Sequence, residues 1–163
     1  MLIKLKNKQY LIFDDFKFKC CIGKNGLKSR KREGDKCTPT GTFEIGKVYY
    51  RPDRINKPKT RLQTIKITKK MGWCDDPYNK NYNKKIILNE KNKGEKLFRA
   101  SEIYDILIVI KYNIKKIQKF RGSAIFTHLT SNYSPTKGCI ALKKNDMLIL
   151  LKLIKPGDKI RIY

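Results

Sequence analysis

The chain carries a single histidine, His128, and eleven residues after it comes Cys139 in the tripeptide Gly138-Cys139-Ile140. A free thiol titrates near pKa ~8.5 and a free imidazole near ~6.5, so an imidazole held within hydrogen-bond reach can take the thiol proton. The resulting ion pair would stabilise a thiolate nucleophile. Gly138 permits close approach of a substrate to the backbone, and N–H groups at Gly138 and Cys139 can form an oxyanion hole. Taken singly, each residue has a blander reading. A lone histidine ending a strand more often meets a structural need, and a Gly-Cys pair more often precedes a buried, inert thiol.

For the pair to work, the chain between them must reverse. Eleven extended residues would span up to ~40 Å. The cluster Asn132-Tyr133-Ser134-Pro135 supplies the turn signal. Upstream, Gly122 to His128 reads as a strand that places Ala124, Phe126 and His128 on one face. The run Ile106-Leu107-Ile108-Val109-Ile110 reads as a strand buried on both faces. Alternating patterns predict further strands over 2–6, 10–13, 16–20, 42–50 and 62–68, with a short closing strand at Ile160 and Ile162. Residues 145–155 give the one convincing helix, with Asn145 as its cap, Asp146 in its first turn and Pro156-Gly157 as its stop. The Asn-, Asp- and Gly-rich centre, from Met71 to Phe98, yields no assignment. The sum is a mainly β single domain with minor α, spanning 1–163.

Composition narrows the function classes. At 163 residues and 40% hydrophobic content the chain can bury a substantial core, so disorder is a poor reading. No 18-residue apolar run predicts a membrane span, and the alternating start offers no secretory h-region. A cytoplasmic location is therefore expected, or a periplasmic one by an unrecognised export route. The five cysteines form no CxxC pair, and with one histidine a Cys/His zinc site is not expected. No cofactor is implied. The formal charge of +25 would attract anionic polymers. Yet the lysines are scattered along the chain, and 31 Lys against three Ala fit the drift of an AT-rich genome. A non-catalytic basic module binding nucleic acid or another anionic polymer is the rival reading, without a recognisable nucleic-acid motif behind it.

Two separated signatures then point to a family. The run Gly34-Asp35-Lys36-Cys37-Thr38-Pro39-Thr40-Gly41-Thr42-Phe43 resembles the "GD..TP.G.F" signature of the L,D-transpeptidase catalytic domain, the YkuD-type fold. His128 followed by Thr136-Lys137-Gly138-Cys139-Ile140 resembles that family's active-site motif. The resemblance implies a β-sandwich-like domain with a helix after the cysteine, with signature regions 34–54, 72–77 and 122–142. It implies Cys139 as nucleophile and His128 as base and later acid. The implied reaction is acyl transfer on peptidoglycan stem peptides or muropeptides, cleaving the bond to the terminal D-alanine through a thioester. The chain departs from the common Ser-His-Gly-Cys-x-Arg motif. Lys137 stands for the second histidine, Ala141 for the arginine, and Leu129 follows His128.

The segments Tyr49-Tyr50-Arg51-Pro52-Asp53-Arg54 and Gly72-Trp73-Cys74-Asp75-Asp76-Pro77 look like a short, signal-less branch that includes cytosolic L,D-carboxypeptidases. A terminal carboxylate needs a bidentate partner, and with Ala141 in the motif, Arg51 or Arg54 can supply it. Asp75 is a candidate for holding a diamino-acid amine, although turn-forming before Pro77 is its simpler role. Trp73 reads as core first and as a substrate platform second. Thr136 completes the substrate-contact candidates. A monomer without a specific nucleic-acid partner is expected.

Overall fold

A computed structural model describes all residues 1–163. Three hairpin-connected strands, β1 (Leu2–Lys6), β2 (Tyr10–Phe13) and β3 (Phe16–Cys21), open the chain. Asn7 and Lys8 both sit at left-handed φ, the geometry a tight turn between antiparallel strands requires. A loop follows, pinned by the two-residue pair β4 (Leu27–Lys28) and β5 (Thr38–Pro39). The ten-residue β6 (Gly41–Tyr50) comes next, then β7 (Thr64–Lys66). The centre holds β8 (Met71–Trp73), β9 (Lys85–Ile87) and β10 (Glu95–Lys96). After a 3₁₀ turn at Glu102–Tyr104 the chain forms β11 (Ile106–Ile110), β12 (Phe126–Leu129) and β13 (Ile140–Leu142). Helix α1 (Lys144–Leu153) and β14 (Lys159–Ile162) finish it.

The main sheet runs β11-β12-β13-β3-β2-β1-β14-β6-β7, and β11 also pairs with β6. The strand order therefore closes on itself. Length makes the closure possible: β6 meets β14 through Gly41–Glu44 and β11 from Ile45 to Tyr50. This is the form that the expected β-rich, sandwich-like single domain takes. A buried cluster of 22 residues forms its core, including Ile106, Ile108 and Ile110 of β11 and Ile140 and Leu142 of β13. Helix α1 adds Met147, Leu150 and Leu151, spaced to fall on one helical face. Asn145 is not its cap. The chain passes from β13 into the helix through extended Lys143, so Asn145 already lies in the first turn. Ile154, also extended, ends the helix just before Pro156.

A second cluster of 11 buried residues lies on the opposite face of β11 and β12. It joins Leu107, Val109 and Phe126 to Trp73, Leu97, Tyr104 and Cys139. The three-stranded sheet β10-β8-β9 contributes to this cluster, and it occupies the centre that sequence patterns left unassigned. Its strands are too short for alternation to register. Between β11 and β12 the extended backbone begins only at Phe126, four residues later than predicted. Gly122 (φ 98°) and Ala124 (φ 52°) are left-handed and break the strand. No helix is long and apolar enough to cross a membrane.

Candidate active site

Strand register brings the two candidate residues together. β12 and β13 run parallel with Thr127 opposite Ile140 and His128 opposite Ala141. Cys139, two residues before Ala141, therefore falls level with Phe126 and diagonal to His128, on the same outward face. Neighbouring strands lie ~4.8 Å apart, which puts both side chains over one patch of sheet. Both line a single cleft of about 700 Å³, together with Arg99, Tyr104, Asp75 and Thr136.

The contacts fix how each group is held. The Cys139 thiol donates to the Ala124 carbonyl at 3.3 Å and accepts from the Phe126 N–H at 3.4 Å. His128 Nδ1 lies 2.8 Å from the Leu129 carbonyl. A carbonyl only accepts, so Nδ1 carries the proton and Nε2 is left with a free lone pair. The Tyr104 ring packs edge-on against the imidazole, with centroids 5.3 Å apart.

Burial sets the charge states. It pushes the Cys139 thiol up to about 12, helped by the negative Glu95 and opposed by the Phe126 N–H and the cations Lys31 and Arg99. Burial also pulls His128 down to about 4, against the pull of the Leu129 carbonyl and with added repulsion from Arg99. The resting pair is thus neutral thiol and neutral imidazole. Burial favours this state, because two buried charges would cost more in lost hydration than they return.

The residues around the thiol explain the upstream signature. Thr136 Oγ1 donates to the Cys139 carbonyl at 2.6 Å, and Thr38 Oγ1 donates to the same oxygen at 3.5 Å. Thr38 in turn accepts from the Gly23 N–H at 2.8 Å. Asp35 closes its loop by accepting from Lys31 Nζ and the N–H groups of Arg32 and Cys37. Thr38 of the Thr-Pro element therefore buttresses the cysteine loop, while Asp35 fixes the loop that leads into it. Gly138 differs from expectation. Its N–H donates to Thr136 Oγ1 at 3.0 Å, which occupies the group proposed for an oxyanion hole. Its glycine identity answers to packing at φ 137°, where a Cβ would stand 2.8 Å from the Cys37 carbonyl oxygen.

The other candidates separate cleanly. Asp75 and Thr136 line the cleft, but Arg51, Arg54 and Trp73 do not. Arg51 is buried, grips Asp53 with Nε and Nη2, and stacks 3.4 Å over Phe98. Arg54 pairs with Asp105 at 3.0 Å. Their remaining donors go to the carbonyls of Arg99, Ala100 and Ser101, so both arginines hold the backbone of the next loop. Trp73 is core, packed at right angles on Phe126, with Nε1 donating to Asn83 Oδ1 at 2.9 Å. Cys20, Cys21, Cys37 and Cys74 are buried free thiols.

Two residues that shape the cleft and its surroundings escaped sequence reasoning. Asn83 is 2% exposed, and its Oδ1 accepts from both Trp73 Nε1 and the Ala124 N–H. Its amide donates to the carbonyls of Tyr112 and Asn113. Asn83 thereby anchors the left-handed Ala124 whose carbonyl receives the thiol. The other is Arg99, which lies over the Tyr104 ring at 4.3 Å and bonds Glu95 at 2.6 Å. Neither stands in a pattern that spacing alone could flag.

A family model for the L,D-transpeptidase catalytic domain, YkuD, matches residues 2–162. The chain belongs to this L,D-transpeptidase family. Among solved structures, the helical cell shape determining protein Pgp2 from Campylobacter jejuni has the same fold, with TM-score 0.53 and 18% identity. That match covers 99% of this chain and 46% of the Pgp2 chain, so the chain spans less than half of that protein's length. A lysine-to-alanine variant of Pgp2 gives the same figures. No curated protein sequence matches the chain. Cys139, His128, Thr38 and Thr136 all lie within the matched residues.

Proposed function

We propose that the chain catalyses cysteine acyl transfer on peptidoglycan stem peptides, cleaving the bond between the third residue's L-centre and the terminal D-alanine. The observation that carries this reading is the shared outward face of His128 and Cys139 over one cleft, with Nδ1–H tied to a carbonyl and Nε2 free. Cys139 gives its proton to Nε2 as its sulfur attacks the scissile carbonyl. The tetrahedral intermediate collapses, and Nε2–H hands that proton to the leaving D-alanine amine. The tripeptidyl thioester then passes to water, as in an L,D-carboxypeptidase, or to an amine of a second stem peptide, as in an L,D-transpeptidase. His128 deprotonates either acceptor. Because thiol and imidazole are both neutral at rest, proton transfer accompanies attack. Asp75 lines the cleft, and in this reading it holds the diamino-acid amine.

The reading is tested by incubating the protein with a purified disaccharide-tetrapeptide and following the products by mass spectrometry. Loss of one alanine identifies the carboxypeptidase, and a dimer lacking one alanine identifies the transpeptidase. An unchanged muropeptide would overturn the reading. Salt-sensitive binding of nucleic acid that survives Cys139→Ala would favour the basic-module alternative.

A further inference from the structure

Carboxylate recognition is the function that the sequence leaves without an owner, since Ala141 replaces the motif arginine and Arg51 and Arg54 are occupied elsewhere. Arg99 is the only arginine lining the cleft. Its Nε donates to the Lys96 carbonyl at 2.9 Å and its Nη2 to Glu95 Oε1 at 2.6 Å. The Tyr104 ring lies beneath it, and Tyr104 OH donates to the same Glu95 oxygen at 2.6 Å. Three contacts thus lock the guanidinium plane, while Nη1 donates to no protein group. The free edge, Nη1 with the second Nη2 proton, is a planar fork of the shape that meets a carboxylate.

Position favours the leaving-group side. One ring, Tyr104, separates Arg99 from the imidazole that must protonate the departing nitrogen. In a terminal D-alanine the carboxylate is two bonds from that nitrogen. Arg99 is also the one cation whose charge acts on both His128 and Cys139. The remaining lining cations suit the task less. Lys31 is spent on Asp35 and the Arg32 carbonyl, whereas Lys36 and Lys137 are exposed and solvated. From this geometry we infer that Arg99 binds the terminal carboxylate of the stem peptide and confines cleavage to a free C-terminal residue. The inference rests on the acyl-transfer reading above and names the group that sets its specificity.

The test compares a tetrapeptide bearing a free terminal carboxylate with the same peptide as its terminal carboxamide, for wild type, Arg99→Lys and Arg99→Gln. Wild type should prefer the acid by on the order of 10- to 100-fold in kcat/KM, the scale of one lost charged contact. Arg99→Gln should lose most of that preference, through a rise in KM on the acid that exceeds any change on the amide. Arg99→Lys, with the charge but not the fork, should fall between. Equal cleavage of acid and amide by wild type would overturn the inference, as would a wild-type acid-to-amide ratio retained in Arg99→Gln. So would an equal fall on both substrates with a lowered melting temperature, which marks a purely structural arginine. Failure of wild type on both peptides would instead remove the acyl-transfer reading itself.

Discussion

Strand β11 has two buried faces with different work. Ile106, Ile108 and Ile110 point into the core of the closed strand ring, whereas Leu107 and Val109 join the cluster that holds Cys139 and Phe126. The inner face of β11 is aliphatic, and the core it enters is apolar apart from the Cys20 thiol. The outer one mixes aromatic rings with His128, Glu95, Asn83 and a thiol. The contrast separates two demands on one sheet. Burying apolar area needs only shape and hydrophobicity, and many residues share the load. Holding a thiol beside an imidazole needs each polar partner in place, because every unsatisfied buried group is costly.

Substitutions on the two faces should therefore break different things. Ile108→Ala, on the inner face, should cost about 2–5 kcal/mol of stability by leaving a cavity, with kcat per folded molecule unchanged. Chemical denaturation alongside active-site titration checks both halves. A large kcat loss in the folded fraction would erase the contrast.

Acid should distinguish the faces next, since the inner one carries no titratable group comparable to His128. The folded value of His128, about 4, lies below its unfolded value, so the unfolded chain takes up the proton first. Stability fully present above pH ~6.5 should be lost as pH falls from there towards 4, by on the order of 3 kcal/mol. The loss should be missing from His128→Gln when unfolding free energies of the two proteins are compared across that range. The acid limb of kcat/KM should likewise fall near the depressed value of about 4 rather than near ~6.5.

Asn83→Ala should cost about 1–3 kcal/mol, since it strands Trp73 Nε1 and the Ala124 N–H. On this outer face kcat should fall with stability, because Ala124 then loses the anchor that aims its carbonyl at Cys139. Steady-state kinetics well below the melting temperature would show it. The smallest effect expected is that of Arg51→Lys, under about 1 kcal/mol. It gives up the fork on Asp53 and loosens the Arg99 backbone. A few-fold rise in KM with kcat retained is the outcome to look for.

What the sequence made legible follows the same division. The ring strands declare themselves because each has a half-buried or doubly buried face long enough to leave a pattern. Predicted 2–6, 10–13 and 106–110 coincide with β1, β2 and β11. Residue chemistry and the turn between them singled out His128 and Cys139 as a candidate pair, and the strand register does bring them to one cleft. The outer layer was not legible. Met71–Trp73, Lys85–Ile87 and Glu95–Lys96 are only two or three residues long, too short for alternation to show, and side chains such as Asn83 that hold them follow no period. Arg51 and Arg54 carried the right chemistry, but a bidentate Asp53 and the Asp105 carboxylate claim them. Only the folded contacts show that Arg99 keeps a free edge.

The central claim is a covalent bond between Cys139 and the tripeptidyl moiety. Rapid acid quench of wild-type protein with excess tetrapeptide, followed by intact-mass and peptide mapping, tests it directly. The account predicts an adduct equal to the substrate acyl group minus D-alanine, located on the peptide containing Cys139 and absent from Cys139→Ala, which should also lose turnover. Undiminished turnover by Cys139→Ala, or an acyl group mapped to another cysteine, would contradict it.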